Sequence, residues 1–155
     1  MAKELEFQKR IGYEGELAPV FEQLSQLYGL GRYIEHFPIL QGYEDFNVVL
    51  KTDKGRYFAK MFATFRSDDE CRKYVGIMSR VLEAGVSHPT LYSHSTGQMF
   101  EIPVNGSRLR GCVMQYVEGK SFYESGETQT PEEMRFFARQ AAIINSLDIE
   151  SRDMY

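Results

Sequence analysis

The sequence predicts an α+β fold: an antiparallel sheet of about five strands with one packed helix, flanked by an N-terminal and a C-terminal helix. Three observations predict it. Extended runs between residues 33 and 62 are joined by connections too short for parallel crossovers. An amphipathic helical stripe interrupts the extended pattern once. Extended runs then resume before a last helix with a strong start signal.

The elements follow in order. Leu17, Val20, Phe21, Leu24, Leu27 and Tyr28 recur at helical spacing. Pro19 is tolerated in a first turn and Gly29 suits a C-terminal cap, so a helix is expected from about 16 to 28. Three strands are read from RYIEHFPIL, FNVVLKT and RYFAKMF, with Asp53-Lys54-Gly55 as the hairpin turn between the last two. Ser67 and Glu70 then form a capping-box signature. Cys71, Tyr74, Val75, Met78, Val81 and Leu82 make one apolar stripe, and Gly85 ends the helix. Two or three strands come next, from TLYSHS, QMFEIPV and LRGCVMQYV, with turns at Ser95-Thr96-Gly97 and Asn105-Gly106. Thr130-Pro131-Glu132-Glu133 starts a helix expected to reach about Leu147. Its apolar residues, from Met134 to Leu147, cover most of its circumference. Such a helix is normally buried on more than one side. Either it packs closely on the preceding strands, or it belongs to a core completed by later residues or by a partner subunit.

Composition bounds the function. The 155 residues suffice for one core, and 43% hydrophobic with 26% charged residues is ordinary for a soluble globular chain. A net charge of -4 argues against a general nucleic-acid binder, which needs a basic stripe, and against docking on anionic lipid. No apolar run approaches the roughly 20 residues that span a bilayer. The opening MAKELEFQKR has no signal-peptide block, so the expected location is cytoplasmic. Cys71 and Cys112 read as buried free thiols. His36, His88 and His94 show no ligand spacing, and no metal site is expected.

Four segments point to chemistry. QGYEDFNVVL, residues 41–50, lies at the turn between the first two strands. Gly42 would let the backbone turn tightly, and backbone N–H groups with the Asn47 side chain could donate to phosphate oxygens. The same residues also suit an ordinary polar hairpin turn. In GRYFAKMF, residues 55–62, Lys60 stands among apolar neighbours. It either snorkels to the strand edge or meets an anionic partner. Glu70 borders the apolar stripe of the next helix. It either pairs with Lys60 or serves its capping box. LRGCVMQYVEGKSF, residues 109–122, is a hydrophobic strand running into a polar glycine turn.

Taken in order, these segments resemble the N-terminal lobe of the aminoglycoside phosphotransferase, choline kinase and type II homoserine kinase group, a protein-kinase-like fold. Gly42, Glu44 and Asn47 match the G-x-E-N-x-N-Y stretch of the homoserine kinases, while Asp45 and Val48 depart from it. An added carboxylate beside phosphates is unfavourable. The resemblance implies that Lys60 meets the phosphates of ATP or GTP, with Glu70 as the helix carboxylate that fixes it. It implies a hinge in which the Gln115 carbonyl and the Val117 N–H meet the base edge and Met114 backs the pocket. ARQAAIINSLDI is similar to the first helix of the family's second lobe, with Asn145 where a histidine usually stands. The resemblance thus divides the chain into a nucleotide-binding lobe (1–117), a hinge and linker (118–130) and the first helix of a second lobe (131–155).

The family's His-x-Asp catalytic loop and its metal-binding aspartate, which with Mg2+ serve phosphoryl transfer, would lie beyond this chain. Neither His88 nor His94 is followed by an aspartate two residues on. The expected function is therefore the nucleotide lobe of a small-molecule kinase, inactive alone, whose hydroxyl acceptor is bound mainly by the other lobe. The alternatives are a non-catalytic nucleotide-binding module and an interaction domain that dimerises through its last helix.

Overall fold

The computed structural model describes residues 2–120 and 122–147. Helices α1 (Ala2–Lys9) and α2 (Ala18–Leu27) precede strands β1 (Tyr33–Ile39), β2 (Phe46–Thr52) and β3 (Gly55–Met61). Helix α3 (Asp68–Glu83) follows, then β4 (Met99–Val104), β5 (Ser107–Gln115), a single turn α4 (Phe122–Ser125) and α5 (Pro131–Ser146). The five strands form one antiparallel sheet in the order β1-β2-β3-β5-β4.

Strand alternation sends two sets of side chains to opposite faces. Val48 and Leu50 of β2, Ala59 and Met61 of β3, Phe100 and Ile102 of β4, and Leu109 and Val113 of β5 face α2 and the N-terminal segment. There they meet Phe21 and Leu24, both fully buried, with Phe7 of α1 and Ile11 just after it. Each such side chain contributes about 1.5–3 kcal/mol on leaving water. The other face carries Phe58, Cys112 and Met114, covered by Cys71, Val75 and Met78 of α3. The sheet is thus packed on both faces. α1, at the start that was read only for its lack of a signal block, was not anticipated as a helix.

The capping box read at Ser67 forms, and a second one closes the helix start read at Thr130. The Ser67 hydroxyl accepts from the Glu70 N–H, the Glu70 carboxylate accepts from the Ser67 N–H, and Thr130 and Glu133 repeat the arrangement. TLYSHS does not become a strand. It makes isolated bridges, Leu91 to Met114 and His94 to Gly97. Pro89 and the tight turn at Gly97 leave it too few residues free for a ladder.

α5 does not pack on the strands: none of its residues is buried, and Met134, Phe136, Phe137 and Ile144 remain exposed. Its contacts to the rest of the chain include the Ser87 N–H, which donates to Gln140 Oε1 at 2.6 Å, and the Phe122 ring, which meets Phe137 edge-on. Residues 148–155 of the segment assigned to the second lobe lie outside the described residues.

Candidate functional site

The β1–β2 loop, residues 40–45, separates two cavities. The first, about 410 Å3, is lined by Ile39, Gln41, Phe58, Met114, Gln115, Tyr116 and Val117, with His88, Pro89 and Glu124. The hinge expected from the sequence therefore forms one wall. Met114 is buried and cross-strand from Phe58, whereas Gln115 and Val117 are exposed at the strand end. The second cavity, about 280 Å3, is lined by Gly42, Tyr43, Glu44, Asp45, Asn47, Lys60, Arg66 and Tyr74.

The sheet register builds the second cavity. Asn47 of β2 lies opposite Lys60 of β3. Asp45, two residues before Asn47, therefore sits diagonally across from Lys60, within reach of a long side chain. Lys60 Nζ is 2.9 Å from Asp45 Oδ2. The Ala63 N–H donates to Asp45 Oδ1 at 3.1 Å, and Arg66 Nε donates to the same oxygen at 3.0 Å. Arg66 also pairs with Glu44. The Asp45 side chain is 3% exposed, against 14% for Lys60 and 17% for Arg66. Burial alone would raise the Asp45 pKa. The Arg66 and Lys60 contacts outweigh it, and the carboxyl is held below its ordinary value.

Gly42 turns the chain at φ 97°, a conformation costly for any other residue. Its carbonyl accepts from Arg10 at 3.1 Å, and Arg10 also reaches the Asp45 carbonyl at 3.4 Å. The Asn47 carboxamide lies beneath this turn, its oxygen buried with no hydrogen-bond partner among the described residues. Lys60 Nζ and Arg66 Cζ stand 5.2 and 5.7 Å from the Tyr74 ring centre, so α3 gives the cavity an aromatic wall.

The pairing of Glu70 with Lys60 does not form. Glu70 is exposed, and its carboxylate accepts from the Ser67 N–H at 2.6 Å. Of the two roles open to it, the helix cap holds. Lys60 finds its counter-charge in Asp45, the residue read as a disfavoured departure. Gly42, Glu44, Asn47 and Lys60 do come together. Arg66, Arg10 and Tyr74 were missed as site residues, and no local spacing marks them, because only the folded register brings them to the loop. Among the described residues no group of three or more His, Cys, Asp or Glu side chains could hold a metal ion.

Residues 37–154 match the sequence pattern of the phosphotransferase enzyme family. The chain belongs to this family. Homoserine kinase of Parvibaculum lavamentivorans is 29% identical over 78 residues. That stretch covers 50% of this chain and 24% of the homoserine kinase. The chain thus matches about a quarter of its relative's length. The family match spans the β1–β2 loop, Lys60, residues 114–117 and α5. No helix among the described residues is long and apolar enough to cross a membrane.

Proposed function

We propose that this phosphotransferase-family domain is the nucleotide-binding lobe of a cytoplasmic small-molecule kinase, one that transfers a phosphoryl group from ATP or GTP to a hydroxyl of an amino alcohol, sugar or aminoglycoside. The observation that carries the reading is the pair of cavities flanking one glycine turn, with a hinge wall in one and Lys60 in the other. The base lies against the neighbouring Phe58 and Met114 side chains, with its edge at the Gln115 carbonyl and Val117 N–H. The phosphates lie under Gly42, against Lys60 and the Asn47 carboxamide, with Glu44 at the rim. Such a lobe does little covalent work: it orients the phosphoryl donor and spreads positive charge around it. When bound, Mg2+ neutralises charge on the phosphates, and the residues that hold it belong to the lobe carrying the catalytic loop. The 155-residue polypeptide alone is then inactive. Phosphorylation of any small molecule by it would overturn that part of the reading.

Fluorescent nucleotide titration of the wild type and Lys60→Ala tests the site. A charge-assisted hydrogen bond contributes about 1.5–3 kcal/mol, so the substitution is expected to weaken binding by roughly 10- to 150-fold. Unchanged binding would remove Lys60 from the site and favour the second reading, a non-catalytic nucleotide-binding or interaction module. One observation supports that alternative: the exposed Met134, Phe136, Phe137 and Ile144 of α5, which suit docking to a second copy.

A further inference from the structure

We infer that Asp45 is the positioning residue of the phosphate site: its carboxylate, and not one on α3, holds the Lys60 ammonium where a phosphate oxygen can meet it. This rests on the reading of Lys60 as a phosphate ligand.

The geometry fixes the carboxylate first. Asp45 Oδ1 is occupied by the Ala63 N–H and Arg66 Nε, two donors from the β3–α3 connection. The backbone carbonyl of Asp45 is held by Arg10. With one oxygen tied down and the loop braced, Oδ2 is directed at Lys60 Nζ. An ammonium has three donors. One is spent on Asp45, and the others remain for the cavity that Gly42 and Asn47 roof.

The three carboxylates in the first turn of α3 are otherwise engaged, and Glu83 lies at the far end of the helix. Asp68 accepts from both Arg108 and Arg110. Asp69 pairs with Arg72. Glu70 closes its own capping box. α3 instead offers Lys60 the Tyr74 ring. Glu44, the other acid lining the cavity, is paired with Arg66 at the exposed rim.

The sequence change is consistent with this division of labour. An asparagine at position 45 could hydrogen-bond the Ala63 N–H but could not balance a lysine. An aspartate does both, and it frees the helix glutamate to cap α3.

The test is the rate at which Lys60 in the 155-residue chain is acylated by an amine-directed reagent, read by peptide mass spectrometry, with and without ATP. In the wild type, ATP is expected to protect Lys60. Asp45→Asn should speed acylation of the nucleotide-free protein, because the ammonium loses its counter-charge. It should also raise the ATP concentration for half-protection by about fivefold or more, the worth of roughly one kcal/mol. Glu70→Gln should change neither quantity. Should Asp45→Asn fail to fold, Glu70→Gln decides: an unchanged protection curve supports the inference, and a weakened one overturns it. Tighter ATP protection in Asp45→Asn would also overturn it, because Asp45 would then be a competitor of the phosphates for Lys60. If ATP gives wild-type Lys60 no protection, the reading of the site falls, and the inference with it. If ATP protects but Asp45→Asn leaves the curve unmoved, the inference alone falls.

Discussion

Replacing Asp45 with alanine should be among the most destabilising single changes in this domain, and the structure sets the size of the effect. Asp45 accepts from Lys60 at 2.9 Å, Arg66 at 3.0 Å and the Ala63 N–H at 3.1 Å, with its own side chain 3% exposed. Alanine leaves the buried Ala63 N–H unsatisfied and two mostly buried cations facing each other. Removing one partner of a buried charge pair typically costs about 3–5 kcal/mol, because the remaining charge is stranded. For a denaturant slope of about 2 kcal/mol/M, the urea midpoint should fall by about 1.5–2.5 M. Lys60→Met should cost much less, because Asp45 keeps Arg66 and Ala63. The acid arm adds a sign. The folded-state pKa of Asp45 lies below its ordinary 3.8, so its stabilising effect is present above that pH and is lost as pH falls through the folded value. The gap between wild type and Asp45→Ala should therefore be full at pH 7 and shrink below pH 3.8. Urea titrations of the three proteins at both pH values measure it. A midpoint shift in Asp45→Ala no larger than in Lys60→Met would refute the reasoning, since it would mean that water satisfies the cluster.

Two further outcomes are expected. Gly111→Ala should destabilise by about 1–3 kcal/mol, the usual cost of overpacking, because a Cβ there would collide with the Lys60 carbonyl oxygen and the Phe100 ring where β3, β5 and β4 meet; an unchanged urea midpoint would contradict that close approach. His36 lies 4.7 Å from the Phe21 ring and shares a 2.7 Å hydrogen bond with the Tyr33 hydroxyl, and burial lowers its pKa from 6.5 despite an opposing pull from Glu4. Stability from the neutral ring is thus full above pH 6.5 and falls as pH drops through the folded value, so wild type should lose midpoint between pH 7.5 and 5.5, and His36→Gln should lose less over the same range.

What could be read from the sequence was local. β2 forms over 46–52 as its alternation and the Asp53-Lys54-Gly55 turn dictate. α3 and α5 begin at Ser67 and Thr130 because a capping box is complete within four residues. What could not be read was long-range. Arg66, Arg10 and Asp45 meet across 21 and 35 positions of sequence, and no propensity or period records a contact of that separation. α1 was hidden for a related reason: AKELEFQK carries almost no apolar stripe, and Phe7 becomes buried only in the folded core. α5 failed differently. Its apolar residues were read correctly, yet none of them is buried among the described residues.

The two departures from the homoserine-kinase-like loop pattern therefore separate on physical grounds. Val48 is fully buried on the α2 face of the sheet, opposite in direction to Asn47 and Lys60. Its substitution for an aromatic is a matter of core volume and does not face the cavity that Lys60 lines. Asp45 lies on the cavity side, where Lys60 and Arg66 supply two positive charges and Asp45 and Glu44 two negative ones. The four charges sum to zero, so on the proposed reading a phosphate would meet a neutral group of side chains. It would gain by taking the free donors of Lys60 or by displacing Glu44, which is 57% exposed, from Arg66. Asp45 is nearly inaccessible and triply bonded, so Glu44 yields first. On the proposed reading, Glu44 at the loop rim is then the side chain that a phosphate displaces, while Asp45 stays in place beneath it.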